Sequence, residues 1–97
     1  MKLRVSSVAE GEITAALRYY EQQSPGLGAE LLLEYESAVR RVVTHPEAWR
    51  RIGPNSRRCL LRRFPYGVVY GREGDELVVT AFMALRRDPD RWNDRIR

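Results

Sequence analysis

Apolar residues recur with a helical period through the first half of the chain and with a strand period through the second half. Leu3 to Val5 predicts a short first strand. Ser7 with Glu10 three positions later predicts a capping box and a helix start, because each side chain can satisfy the other residue's amide. Ala9, Ile13, Ala16, Leu17 and Tyr20 then fall on one helical face. This helix should fray near Gln23, before the turn signal Ser24-Pro25-Gly26. A second helix is predicted from about Leu27 to about Thr44. Its stripe is Leu27, Leu31, Tyr35, Ala38 and Val42, widened by Leu32 and Val39, and Pro46 closes it. A turn this short makes the two helices an antiparallel hairpin.

From Glu47 to Ser56 the pattern breaks; Trp49, Gly53, Pro54 and Asn55 predict a loop, with Trp49 covering the edge of the core. Arg57 to Phe64, Tyr66 to Arg72 and Leu77 to Ala84 predict three strands. Pro65 separates the first two, and Gly74-Asp75 is a hairpin turn signal between the last two. Alternation along the first of these puts Arg57, Cys59, Leu61 and Arg63 on one side and Arg58, Leu60, Arg62 and Phe64 on the other. The segment from Arg86 to Arg97, with Asp88-Pro89 and then Asp90-Arg91-Trp92, predicts a short terminal helix. The order is β-α-α-β-β-β-(α), an α+β fold in which the helical hairpin packs on one face of an antiparallel sheet. The other face is expected to be open and to bind partners.

Composition narrows the picture. A chain of 97 residues fits a single domain spanning 1–97. A domain of this size is only marginally stable alone, so a partner that binds its folded form adds to its stability. The net charge is +4, and Lys2 is the one lysine among 17 basic residues. Arginine forks suit phosphate and carboxylate. A GC-rich genome yields the same bias without functional cause, so the weight falls on arginines clustered in one segment. The single Cys59 excludes an internal disulfide and a multi-cysteine zinc site; in Cys59-Leu60-Leu61 it reads as a small core residue. No motif calls for a metal or a cofactor. No apolar run is long enough for a membrane span and no signal-peptide pattern opens the chain, so the expected location is the cytoplasm.

Three ordered segments carry a family resemblance. Tyr19-Tyr20-Glu21 followed by Ser24-Pro25-Gly26-Leu27-Gly28 resembles the helical opening of ParE-like toxins. Arg57 through Tyr66, followed by Val68, Val69 and Tyr70, is similar to their middle strands. Val78-Val79-Thr80-Ala81-Phe82, followed by Arg86-Arg87-Asp88-Pro89 and Trp92, resembles their last strand and tail. The RelE/ParE resemblance implies the toxin of a type II toxin–antitoxin pair, held inactive by a cognate antitoxin. Relatives of the ParE kind inhibit DNA gyrase; those of the RelE kind cut mRNA on the ribosome without a metal. A third reading is a binding module that kept the fold and lost toxicity.

Metal-free RNA cleavage needs a base, a cation and an acid. Cations abound at Arg57, Arg58, Arg62, Arg63, Arg86 and Arg87. Proton carriers do not. Many relatives carry His near the end of the last strand, where Ala84 stands here. His45, the one histidine, is read as structural at a helix end, where an imidazolium suits the dipole. Tyr66, Tyr70 and Glu73 remain. The two tyrosines share a strand side with Val68 and are read as core residues with their phenols at its rim. This favours the gyrase reading over the nuclease. The residues expected to meet target or antitoxin are Arg58, Arg62, Arg63, Arg86 and Arg87, a basic rim for phosphates or an acidic antitoxin segment if not simply solvated surface. Trp92 and Arg95 join them as an anchor, if Trp92 does not merely dock the tail on the sheet.

Overall fold

The computed structural model describes residues 2–85, and the predicted terminal helix with Arg86, Arg87, Trp92 and Arg95 lies outside them. The elements are β1 (Lys2–Val5), α1 (Ser7–Gln23), α2 (Leu27–Thr44), β2 (Arg50–Gly53), β3 (Ser56–Leu60), β4 (Tyr66–Glu73) and β5 (Glu76–Ala84). The sheet order is β1-β5-β4-β3-β2.

Both helices lie where the periodicity places them. Ala9, Ile13 and Ala16 of α1 and Leu31, Ala38 and Val42 of α2 are buried in one cluster, with Leu17, Tyr20, Leu27 and Tyr35 packed against it. The start of α1 is one residue earlier than the capping box suggests. Ser6 is the N-cap, and its hydroxyl accepts the Ala9 amide at 3.1 Å. The Ser6 amide donates to Val79 O, which holds Ser6 extended at the end of β1 and so selects it over Ser7. At the hairpin, Gly26 adopts φ 90° and offers α2 no side-chain cap. Glu21 of α1 supplies one instead: its carboxylate accepts the amides of Gly26 and Gly28, both at 3.0 Å. A Cβ on Gly28 would lie 2.8 Å from Leu17 O, so glycine there lets the two helices touch.

The sheet differs from the expected meander in three ways. It is mixed, because β1 pairs parallel with β5 from Lys2–Glu76 to Val5–Val79. The helical hairpin carries the chain from β1 to β2 at the opposite edge, and the β2–β5 meander then returns it to pair parallel with β1. The expected loop over Glu47 to Ser56 contains a short edge strand, β2, paired antiparallel with β3. Finally, β3 stops at Leu60, so Arg62 and Arg63 belong to the bend before β4. The Gly74-Asp75 turn joins β4 to β5 as predicted, with Gly74 at φ 62°. Thr80 is an extra residue on β5, since Val69 pairs with Ala81 while Tyr70 pairs with Val79.

Cys59, Val68, Tyr70, Leu77, Val79 and Phe82 turn toward the helices and complete the core. Trp49 packs on its edge, donates from Nε1 to Arg41 O, and carries the Arg41 guanidinium over its ring. The face away from the helices is not bare as expected. Val69 and Val78 are outside the core cluster yet buried. Glycines on β4 let neighbours close over this face: the Arg58 methylenes cross Gly67, and Asn55 O approaches Gly71.

Leu31 is completely buried, whereas Leu33, two residues on, is 65% exposed. Leu31→Ala should lower the unfolding free energy by about 2–5 kcal/mol, while Leu33→Ala should change it by less than about 0.5 kcal/mol. Urea denaturation of the two variants checks both.

Candidate partner groove and the arginine positions

The pairing of β1 ends at Val79, so among the described residues the second half of β5 has a strand neighbour only on the β4 side. An open strand edge presents unpaired amides and carbonyls. One of these is answered from α1: the Phe82 amide donates to Glu12 Oε1 at 2.9 Å. Beside this edge runs a groove of about 330 Å³ lined by Glu12, Tyr19, Tyr66, Phe82, Met83 and Ala84. Small residues of α1, Ala15 and Ala16, keep the helix wall low. The Tyr66 ring stacks on the buried Phe82 with centroids 4.6 Å apart and planes 7° apart, which fixes the half-buried Tyr66 ring as the floor. Tyr19 is more than half exposed at the rim. An apolar floor beside an unpaired backbone edge suits an extended peptide segment: the edge offers main-chain bonds, and the floor receives alternate side chains. Tyr66 sits at the rim of the core as its strand pattern predicts, whereas Glu12 carries no signal in the sequence and Tyr19 stands out there only through the family resemblance. Nothing in a helical pattern marks which surface glutamate faces a sheet edge.

The arginines expected to form one rim occupy separate surroundings. Arg62 and Arg63 sit in the bend after β3. Both of their amides donate to Glu34 Oε1 of α2, at 2.9 and 3.2 Å. The Arg63 guanidinium pairs with Glu30 at 3.0 Å and with Glu34 at 3.8 Å. It therefore already has acidic partners within the chain. Arg58 lies on the sheet face away from the helices, opposite Val69, and its Nε is buried with no hydrogen-bond partner among the described residues. Arg57, on the core side, donates to the carbonyls of Glu47 and Trp49 at 3.0 and 2.9 Å.

Two of the proton-carrier candidates, Tyr70 and Glu73, have partners within the fold. The Tyr70 hydroxyl donates to Pro46 O at 2.6 Å. Burial pushes its phenol up to about 12, against the pull of the Arg57 guanidinium, so it stays neutral and donating. Glu73 is paired with Arg4 at 3.1 Å. His45 is the C-cap of α2, where its amide donates to Arg41 O. Among the described residues no cluster of metal-binding side chains occurs. No described helix is long and apolar enough to cross a membrane.

The fold is shared with a solved structure described as the chromosomal ParDE TA system from P. aeruginosa. The two superpose with a TM-score of 0.78 at 19% sequence identity, over 89% of this chain and 97% of that one. No family model matches the chain, and no curated protein matches it.

Glu34 anchors the bend that carries Arg62 and Arg63. Burial pushes its carboxyl up, but the two amides and the guanidiniums of Arg63 and Arg41 together hold it below the usual 4.5. A lowered folded-state value means stability that is complete above the unfolded-state value and is lost as pH falls through the folded one. Stability should therefore decline below pH 4.5, and Glu34→Gln should flatten that decline while lowering stability at neutral pH. Thermal melts of both proteins across the acid range test this.

Proposed function

We propose that this chain is the toxin of a type II toxin–antitoxin pair, neutralised by a cognate antitoxin and directed at DNA gyrase. The observation that carries this reading is the fold shared over 97% of a chain from a ParDE toxin–antitoxin system. The resemblance of the two opening helices to ParE-like toxins points the same way. The gyrase target is favoured over mRNA cleavage by the chemistry of the strand residues. Ala84 cannot transfer a proton, and the Tyr70 phenol is fully engaged with Pro46 O.

The antitoxin segment in this reading lies in the groove between α1 and the free half of β5. Its apolar side chains rest on Tyr19, Tyr66 and Met83, and its backbone pairs with the edge beyond Val79. Acidic residues beside it meet Arg62, whose side chain, unlike that of Arg63, has no ion pair among the described residues.

Induced expression of the chain alone should produce filamentous cells with a DNA-damage response, and co-expression of the antitoxin should restore growth. Rapid arrest of translation with cleaved mRNA would overturn the gyrase assignment, and normal growth would overturn toxicity.

The groove has its own test. Met83→Glu should weaken antitoxin binding by about tenfold or more, which is about 1.4 kcal/mol. Arg62→Glu should weaken it mainly at low salt, where exposed charges are least screened. Calorimetric titration at two salt concentrations separates the two effects, and unchanged affinity in both variants would remove the groove from the interface.

A further inference from the structure

The opposite end of the sheet holds a second concave feature. A cleft of about 150 Å³ opens between the β2–β3 hairpin, the end of β4 and the segment after α2. Its charged lining is Arg51, Arg57 and Arg72 against Glu47, a net +2. Leu77 and the ring of Tyr70 contribute to its wall.

Three features make this more than a charged patch. First, Arg51 and Arg57 stand directly opposite each other across β2 and β3, and the next pair, Arg50 and Arg58, repeats the arrangement on the other face. Like charges directly opposite in a ladder are destabilising. Two consecutive pairs on a short edge hairpin are a cost that the fold itself does not require. Second, none of these arginines forms an ion pair among the described residues; the ion pairs there belong to Arg4 and Arg63. Third, the cleft guanidiniums are held by main-chain carbonyls. Arg57 donates to Glu47 O and Trp49 O, Arg51 to Pro54 O at 2.7 Å, and Arg72 to Gly74 O at 3.2 Å. Neutral acceptors orient a guanidinium while leaving its charge and its other N–H groups for a ligand.

We infer that this cleft binds a phosphomonoester, the phosphorylated end of a nucleic-acid strand. A phosphomonoester carries close to two negative charges at neutral pH, with its second pKa near about 6, and so matches the net +2 of the lining. The volume admits one phosphate group and the sugar attached to it. The strand continues around the narrow hairpin edge, where the exposed Arg50 receives its next phosphate. Three guanidiniums in one cleft, with Arg50 on the other face of the same hairpin, select a polyanion over an isolated acidic side chain. This site lies at the far end of the sheet from the partner groove, and its occupancy does not depend on toxicity or on the antitoxin.

The test uses the full-length chain and a short single-stranded DNA made with either a 5′-phosphate or a 5′-hydroxyl, followed by fluorescence anisotropy at constant ionic strength. The phosphorylated strand should bind about tenfold tighter than its hydroxyl twin, and the advantage should shrink as pH falls below about 6. The double variant Arg51→Gln, Arg72→Gln should erase the advantage with an unchanged circular dichroism spectrum. Arg57 is left intact because it also ties down two carbonyls. Equal binding of the two strands would overturn the proposal. So would an advantage that survives in the double variant. Perturbation of the Arg51 and Arg72 side-chain NMR signals by inorganic phosphate without any preference for the phosphorylated strand would mean an adventitious ion only, and would overturn the nucleic-acid assignment.

Discussion

Carboxylates that accept main-chain amides across element boundaries hold this small fold in register. Glu21 of α1 caps the start of α2, Glu34 of α2 gathers the two amides of the bend after β3, and Glu12 of α1 answers the Phe82 amide on the edge of β5. Each joins pieces of chain that sequence order leaves free to slide. Hydrogen bonds to an ionised acceptor are stronger than neutral ones, and an unmet amide in a partly buried position costs about 1–3 kcal/mol. Apolar burial gives the helices a side to face the sheet, but it is tolerant of small shifts. The glutamates are directional, and they fix where along the sheet the helices sit.

The helices were legible because amphipathic stripes and strong terminators are local features. Pro25-Gly26 and Pro46 mark ends that no packing has to decide. The sheet was legible only where alternation was strong, in β4 and β5. β2 escaped because Arg50-Arg51-Ile52-Gly53 is a short edge strand with no apolar face, and its pairing with β3 supplies what its sequence lacks. The end of β3 was misplaced because Leu61 and Phe64 look like strand residues. Both are buried, yet Glu34 draws the intervening amides of Arg62 and Arg63 out of the ladder and into a bend. The parallel pairing of β1 with β5 joins residues at opposite ends of the chain, and no local pattern encodes such a partner.

The candidate site was less legible than the fold. In sequence, Arg57, Arg58, Arg62 and Arg63 read as one basic rim. In space, the core-side carbonyls hold Arg57, the far face of the sheet holds Arg58, and α2 neutralises Arg63. Arg62 and Arg63 differ in their side-chain contacts alone: the two amides share one carboxylate, but among the described residues only the Arg63 guanidinium finds acidic partners in the helix. Glu12, which defines the edge beside the groove, looks like any exposed helical glutamate. Its role follows from where β1 stops.

That stopping point also bears on how an open strand edge can persist. An unprotected strand edge pairs with any extended segment, including a second copy of itself. Here the edge beyond Val79 is guarded by a carboxylate on a rigid helix. A passing strand that displaces Glu12 gains one carbonyl bond at Phe82 and loses a charge-assisted one, so main-chain pairing alone brings little net gain. A segment that also lays apolar side chains on Tyr19, Tyr66 and Met83 gains burial at about 25 cal/mol per Å², and the displaced carboxylate returns to water. The glutamate thus makes the edge selective: strand pairing there is favourable only when the apolar floor is filled at the same time.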